Sequence, residues 1–274
     1  MVDGFAPFRE EALRQGIPLP DVERWIATAR PCATLAPTGD GPVAARFGGP
    51  ALLPADAPDP WFPLVATIDC AALPPDATDL PLPSDGHLLL FAFPDVSGPD
   101  DAGSGGTAAY VPAGTAVEER ARNPYFHGEV PDYRRITAAY PEGPLRASVN
   151  WSLPYHGGVE IPEPPYLAPL PGHPHSERLR DVWLEVSGEI AGDGPLQVGG
   201  YALEESLEAD PVPPSPPDAR WTGTGDEQDE WALLADWYVD IPGREGAAVH
   251  WVVRRADLAV QRFDRVFAGL AWNP

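Results

Sequence analysis

A chain of 274 residues with 41 acidic side chains against 18 basic ones, all of them Arg, carries a formal net charge of −23. That charge repels phosphate backbones and anionic headgroups over a Debye length of about 8 Å at physiological salt, which argues against nucleic acid and membrane surfaces and leaves a basic protein as the easier partner. No apolar run approaches the roughly 20 residues that span a bilayer, and Met1–Glu10 lacks the basic and apolar regions of a signal peptide, so a cytoplasmic protein is expected.

The 37 Pro and 27 Gly, with no Lys, read as the bias of a high-GC bacterial genome; a halophilic lineage is a second source of acidity. Cys32 and Cys70 are expected as two reduced, buried thiols rather than a disulfide framework.

From the N-terminus, residues 7–30 read as helical, with Val22, Trp25, Ile26 and Ala29 at helical spacing and Pro31 as the stop. Cys32–Ala36 is a short strand candidate. Arg46-Phe-Gly-Gly-Pro50 demands a tight turn. Leu64–Asp69 and His87–Phe93 read as strands, joined by the Pro-dense connection Ala71–Ser84. Asp95–Thr107 is a Gly/Asp/Ser loop, and Ala108–Val111 is another strand candidate. Residues 112–175 are weakly periodic and read as covered loops and short strands. Asp181–Ser187 alternates like a half-buried strand. Glu204–Glu230 holds nine acids, one Arg and a Pro run, and reads as an exposed loop. Trp231–Val239, Val249–Val253 and Val266–Leu270 read as strands, with a short helix at Arg255–Arg262.

Two stretches resemble copies of one unit. Trp61 opens an apolar run ending in Asp69, followed by Gly86 and a second apolar run. Trp231 opens an apolar run ending in Asp240, followed by Gly246 and a second apolar run. Strands without regular helical crossovers, and a single long-period repeat, predict an α+β fold of two pseudo-symmetric repeats. They would form a mostly antiparallel or mixed sheet around one shared core, with short peripheral helices. The expected division of residues 1–274 is a helical segment at 1–30, a first half at 31–175 and a second half at 176–274.

An ordered series of motifs adds to this. Arg46-Phe-Gly-Gly-Pro-x-Leu-Leu-Pro54, Pro63-Leu-Val-Ala-Thr-Ile-Asp69, Leu82-Pro-Ser-Asp-Gly-His-Leu-Leu-Leu-Phe91, Gln197-Val-Gly-Gly-Tyr201 and Asp257-Leu-x-x-x-x-Phe-Asp-Arg-Val266 together resemble the YwqG-like family of bacterial proteins, from about residue 30 to residue 272. The resemblance implies an α+β fold of two similar halves and brings no established activity, cofactor or active site. Some members resemble components of toxin–immunity neighbourhoods, which implies a partner-binding role. Thr67 and Trp237 stand where the family usually has Gln, and Ala202 and Leu203 follow the Gly-Gly-Tyr motif where it usually continues with Pro and a nearby Gln.

Several residues are candidates for chemistry. Asp69 and Asp240 end matching strands and would form a carboxylate pair dividing acid and base roles if brought into one cleft; otherwise each caps its loop. Gly48-Gly49, with Arg46 beside it, and Gly199-Gly200, with Gln197, are candidate anion-cradling turns, set against tight turns with close packing. His173 and His175, with His156, have metal-ligand chemistry but read as solvated loop histidines. His87 and His250 read as matching, outward-facing strand residues. Asp95, Asp100 and Asp101 lack the spacing of a calcium loop, so neither metal nor cofactor is expected. Trp61 and Trp231 suit core or edge packing. Trp221, beside Asp226, Glu227, Asp229 and Glu230, suits a partner-binding anchor. These readings favour a binding or regulatory, immunity-like protein acting through an acidic surface. The alternative is an enzyme or small-ligand protein with its site between the repeats.

Overall fold

The computed structural model describes residues 4–94, 105–120, 133–160, 163–165, 167–202 and 231–272. Asp95, Asp100, Asp101, Trp221, Asp226, Glu227, Asp229 and Glu230 lie outside them, as does the whole acidic stretch 204–230.

The fold is α+β, built on one antiparallel sheet of ten strands. In chain order these are β1 (Arg30–Ala36), β2 (Val43–Phe47), β4 (Leu64–Asp69), β5 (His87–Ala92), β6 (Gly106–Val111), β8 (Gly143–Ser152), β11 (Leu196–Gly199), β12 (Trp231–Val239), β13 (Ala247–Arg254) and β14 (Phe267–Trp272). Their spatial order is β14-β13-β12-β11-β1-β8-β2-β4-β5-β6. Two short ribbons complete the strands: β3 (Leu52–Pro54) with β7 (Val117–Glu119), and β9 (Gly158–Glu160) with β10 (Leu167–Pro169).

The sheet rolls until its two edges touch, which shields strand edges that would otherwise be free to pair. The Gly105 N–H donates to Ala268 O at 2.8 Å. The Trp251 indole N–H, on β13, reaches across to Phe91 O and Thr107 O, each at 3.2 Å. A Cβ on Gly106 would stand 2.2 Å from Phe91 O and 3.0 Å from Ala268 Cβ, so only glycine lets the edges come this close. Inside the roll, alternate residues of the strands meet in one apolar core, including Leu35, Ile68, Leu90, Trp237, Val249 and Trp251.

A second core lies in a helical layer. Its helices are α1 (Ala6–Arg14), α2 (Leu19–Ile26) and α4 (Ser176–Val186), while α3 (Tyr133–Ala138) and α5 (Arg255–Ala259) are short. Phe8, Val22, Trp25, Leu179, Val182 and Trp183 pack together with Leu153 and Tyr155. The helical reading of 7–30 resolves into two helices because Gly16 takes a φ of 76° between them. The layer is tied to the sheet by the Thr34 hydroxyl, which donates to Ala191 O at 2.9 Å, and by the Tyr201 hydroxyl, which donates to Thr28 O.

Two expectations are corrected. Asp181–Ser187 lies in α4 and the turn after it, not in a strand: Leu179, Val182 and Trp183 are buried at helical spacing while Leu184, which completed the apparent alternation, is exposed. The weakly periodic stretch 112–175 contains the ten-residue strand β8. Its inner face is plain in buried Leu145 and Ala147, but Val149 and Trp151, which continue the same face, stand exposed and blur the period.

Candidate functional site

The β3–β7 ribbon lies across the outer face of the sheet at β4–β5–β6, where Leu53 joins Leu89, Phe91 and Val111 in a small satellite core. Between ribbon and sheet runs a groove of about 490 Å³, within the usual range of small-ligand sites. Its floor is set by register. Arg46 on β2 stands opposite Thr67 on β4, and Thr67 opposite Leu89 on β5. One row along, Asp69 stands opposite His87, and His87 opposite Val111 on β6. Directly opposite residues share a face, so these side chains meet over one surface.

The groove is amphipathic. Val43, Leu52 and Val117 line it with relative exposures of 48%, 42% and 37%, and large apolar side chains left this open and clustered mark binding surfaces. Among the described residues, Arg46 forms no ion pair although the chain has more than twice as many acids as arginines. Its Nε lies 3.4 Å from where a Cβ of Gly49 would stand, so the glycine leaves room for the guanidinium along the turn. Asp69 caps the turn that follows β4, accepting a hydrogen bond from the Ala71 N–H at 3.0 Å through Oδ1.

The other candidates do not join this site. Asp240 is exposed just past β12 and does not line the groove. Four strands separate β12 from β4 in either direction around the roll, so the expected carboxylate pair does not form. Gly48 and Gly49 take φ of 64° and 88°, but the Gly48 N–H is engaged by Val65 O at 2.9 Å and is not free to cradle an anion. Gln197 is buried, and its amide donates to Gly199 O and Tyr201 O, both at 2.9 Å. A Cβ on Gly199 would meet Thr78 Oγ1 at 2.3 Å, and one on Gly200 would meet Ser152 Oγ at 2.6 Å. These glycines make tight turns with close packing, not an anion site.

Sequence reasoning missed a buried pair. Asp236 and His250 face each other across β12 and β13, with His250 Nδ1 3.0 Å from Asp236 Oδ1. The row continues through Gln197 on β11 and Thr34 on β1. Exposures of 2% for His250, 3% for Asp236 and 4% for Gln197 and Thr34 make it a closed polar stripe. The expectation of an outward-facing histidine holds for exposed His87 and fails for His250. The signal available was Asp236 itself, an acid inside an otherwise apolar strand.

No protein-family model matches the chain, and no curated protein matches it significantly.

Burial pushes the Cys32 thiol up to about 12 and the Cys70 thiol up to about 11, so neither supplies a thiolate at neutral pH. Both are free and buried, as expected. The histidines near α4 are not solvated loop residues. His175 Nδ1 lies 2.8 Å from Asp21 Oδ2, the His173 ring packs edge-on against Trp25 at 5.4 Å, and burial, followed by the charge of Arg180, lowers His156 to about 4. No group of three or more potential metal ligands occurs among the described residues. Trp231 packs as expected beneath the Arg254 guanidinium, 5.2 Å from its ring, whereas Trp61 is exposed. No helix among the described residues is long and apolar enough to cross a membrane.

Proposed function

We propose that the protein is a binding protein whose ligand occupies the outer-face groove: a small molecule with an apolar body and a carboxylate or phosphate. The observation that carries this is Arg46, a guanidinium with no acidic partner among the described residues, lining the same groove as three exposed aliphatic side chains. A guanidinium fork matches carboxylate and phosphate oxygens two at a time, and the aliphatic walls suit the remainder. Ligand-observed NMR against a panel of short-chain carboxylates and phosphates tests it. Binding that is lost in Arg46→Gln and in Leu52→Ser supports the reading; binding indifferent to both, or none, defeats it.

A second reading keeps the acidic surface. The net charge of −23 and the nine acids of residues 204–230 favour a regulatory, immunity-like role toward a basic protein, with Trp221, Asp226, Glu227, Asp229 and Glu230 as its contact residues. Affinity purification at low and high salt tests it. A basic protein retained only at low salt supports it, and an empty eluate removes it.

The proposed ancestry is a duplication, in keeping with the YwqG-like resemblance. The strand order reads the same from either end if β1 is matched with β8, β2 with β11, β4 with β12, β5 with β13 and β6 with β14. The left-handed glycine pairs at the ends of β2 and β11 fit the same match. On this reading β8 belongs to the second unit, which draws the boundary ahead of Gly143 rather than at 175.

A further inference from the structure

The charges on the groove floor narrow the ligand class, on the assumption that the groove is the binding site. Arg46 is opposite Thr67, and Asp69 is two residues further along the same strand, so Arg46 and Asp69 occupy diagonal positions on one face. Such neighbours stand about 7–8 Å apart, a span that long side chains can close. Yet no ion pair joins them, although each lines the groove and neither has another charged partner bonded to it among the described residues. Closing two solvated opposite charges onto each other gains little, so a ligand can compete for both. Held apart over a shared cavity, they leave room for a molecule carrying both signs. The Asp69 carboxylate uses Oδ1 for the Ala71 N–H and retains Oδ2. Beyond them Leu89 and Val111 continue the floor, and Leu52 and Val117 form the apolar wall.

We infer that the groove takes a zwitterion with an apolar side chain, an amino acid or the like. Its carboxylate lies on Arg46, its ammonium on Asp69, and its side chain between floor and ribbon. A simple anion would leave Asp69 repelling it. A simple cation would leave Arg46 doing the same.

The test follows amide shifts of Thr67, Leu89 and Gly114 in the full chain during titration with L-leucine, N-acetyl-L-leucine and L-leucinamide. The last two each lack one charge. Leucine is expected to bind about tenfold more tightly than either, the scale of one charge-assisted hydrogen bond. Asp69→Asn should erase its advantage over N-acetyl-leucine without weakening the latter. Asn still accepts the Ala71 N–H, so this variant keeps the cap and the fold. Arg46→Gln should erase the advantage over leucinamide. If N-acetyl-leucine binds as well as leucine and still needs Arg46, the zwitterion is overturned while the anion-binding groove stands. If leucinamide matches leucine, the Arg46 contact is overturned. If none of the three shifts the groove amides, the zwitterion and the groove reading fall together.

Discussion

Two rows of residues across the outer face meet opposite fates. On one side of the sheet Arg46, Thr67 and Leu89 stand in a row across β2, β4 and β5; on the other Gln197, Asp236 and His250 stand in a row across β11, β12 and β13. The first row lines an open groove, and the second is almost completely shielded from solvent. The groups in the shielded row turn to one another and to the backbone. His250 contacts Asp236, Gln197 donates to two carbonyls, and neighbouring Thr34 donates to Ala191 O. In the open row Arg46 and Thr67 have no such partners among the described residues. Polar groups out of water must satisfy one another, whereas solvated ones remain available to something else. One row thus serves the fold, while the other leaves its polar groups facing the groove.

The largest expected effect tests the closed row. Asp236→Leu should destabilise the protein by about 3–5 kcal/mol, the cost of leaving one member of a buried pair behind. The double replacement Asp236→Leu with His250→Leu should cost clearly less than the sum of the single changes, because nothing polar is then stranded. Urea unfolding of the four proteins measures this. Arg46→Gln and Thr67→Val should stay within about 0.5 kcal/mol of the parent in the same assay, as surface changes do. If the two rows respond alike, the division between them is wrong.

A pH scan sharpens the comparison only after His156 is taken into account. Its pKa falls from an ordinary 6.5 to about 4 because burial disfavours the charged ring. As pH drops below 6.5 the unfolded chain takes up a proton that the folded one refuses until about pH 4, so stability falls through that window and levels off beneath it. The loss is on the order of 3 kcal/mol. His156→Gln should flatten this limb. What slope survives belongs to other groups; an unchanged limb would show that His156 is solvated in the folded protein.

How legible was this in the sequence? Strands β4, β5, β12 and β13 stood out because each is buried on at least one face and rich in apolar side chains. Helix α4 was misread because three alternating apolar residues, Val182, Leu184 and Val186, imitate a strand when only their own window is considered; Leu179 and Trp183 carry the helical period. At the site, the turn motif pointed to Arg46, Gly48 and Gly49 but said nothing of the ribbon that walls the groove. That wall comes from β3 pairing with β7, more than 60 residues away in the chain, in strands of three residues each. On the proposed duplication, the ladder sets Thr67 beside Arg46 and Asp236 beside Gln197, which would put Asp69 in step with Tyr238 rather than with Asp240. A slip in strand register changes which residues share a face, and period-2 patterns in strands buried on both faces do not fix it.

The smallest expected effect compares the two glycine pairs. Both take left-handed conformations, which cost an L-residue about 1–2 kcal/mol wherever they occur. Beyond that the surroundings differ. At Gly200 an added Cβ would also stand 2.9 Å from Cys32 Cβ and 2.6 Å from Ser152 Oγ, in the tightly packed junction between sheet and helical layer. At Gly49 the nearest neighbour is the Arg46 side chain at 3.4 Å, which can swing aside. Gly200→Ala should therefore cost about 2 kcal/mol or more, as overpacking adds to strain, and Gly49→Ala about 1 kcal/mol. Differential scanning calorimetry orders them. The more informative measurement is on Gly49→Ala alone. If the guanidinium is displaced by the new methyl group, this variant should lose ligand affinity in proportion to Arg46→Gln while remaining nearly as stable as the parent. Parent-like affinity would show that Arg46 reaches the groove without needing the glycine, and the turn would then be a matter of backbone geometry on both sides of the sheet.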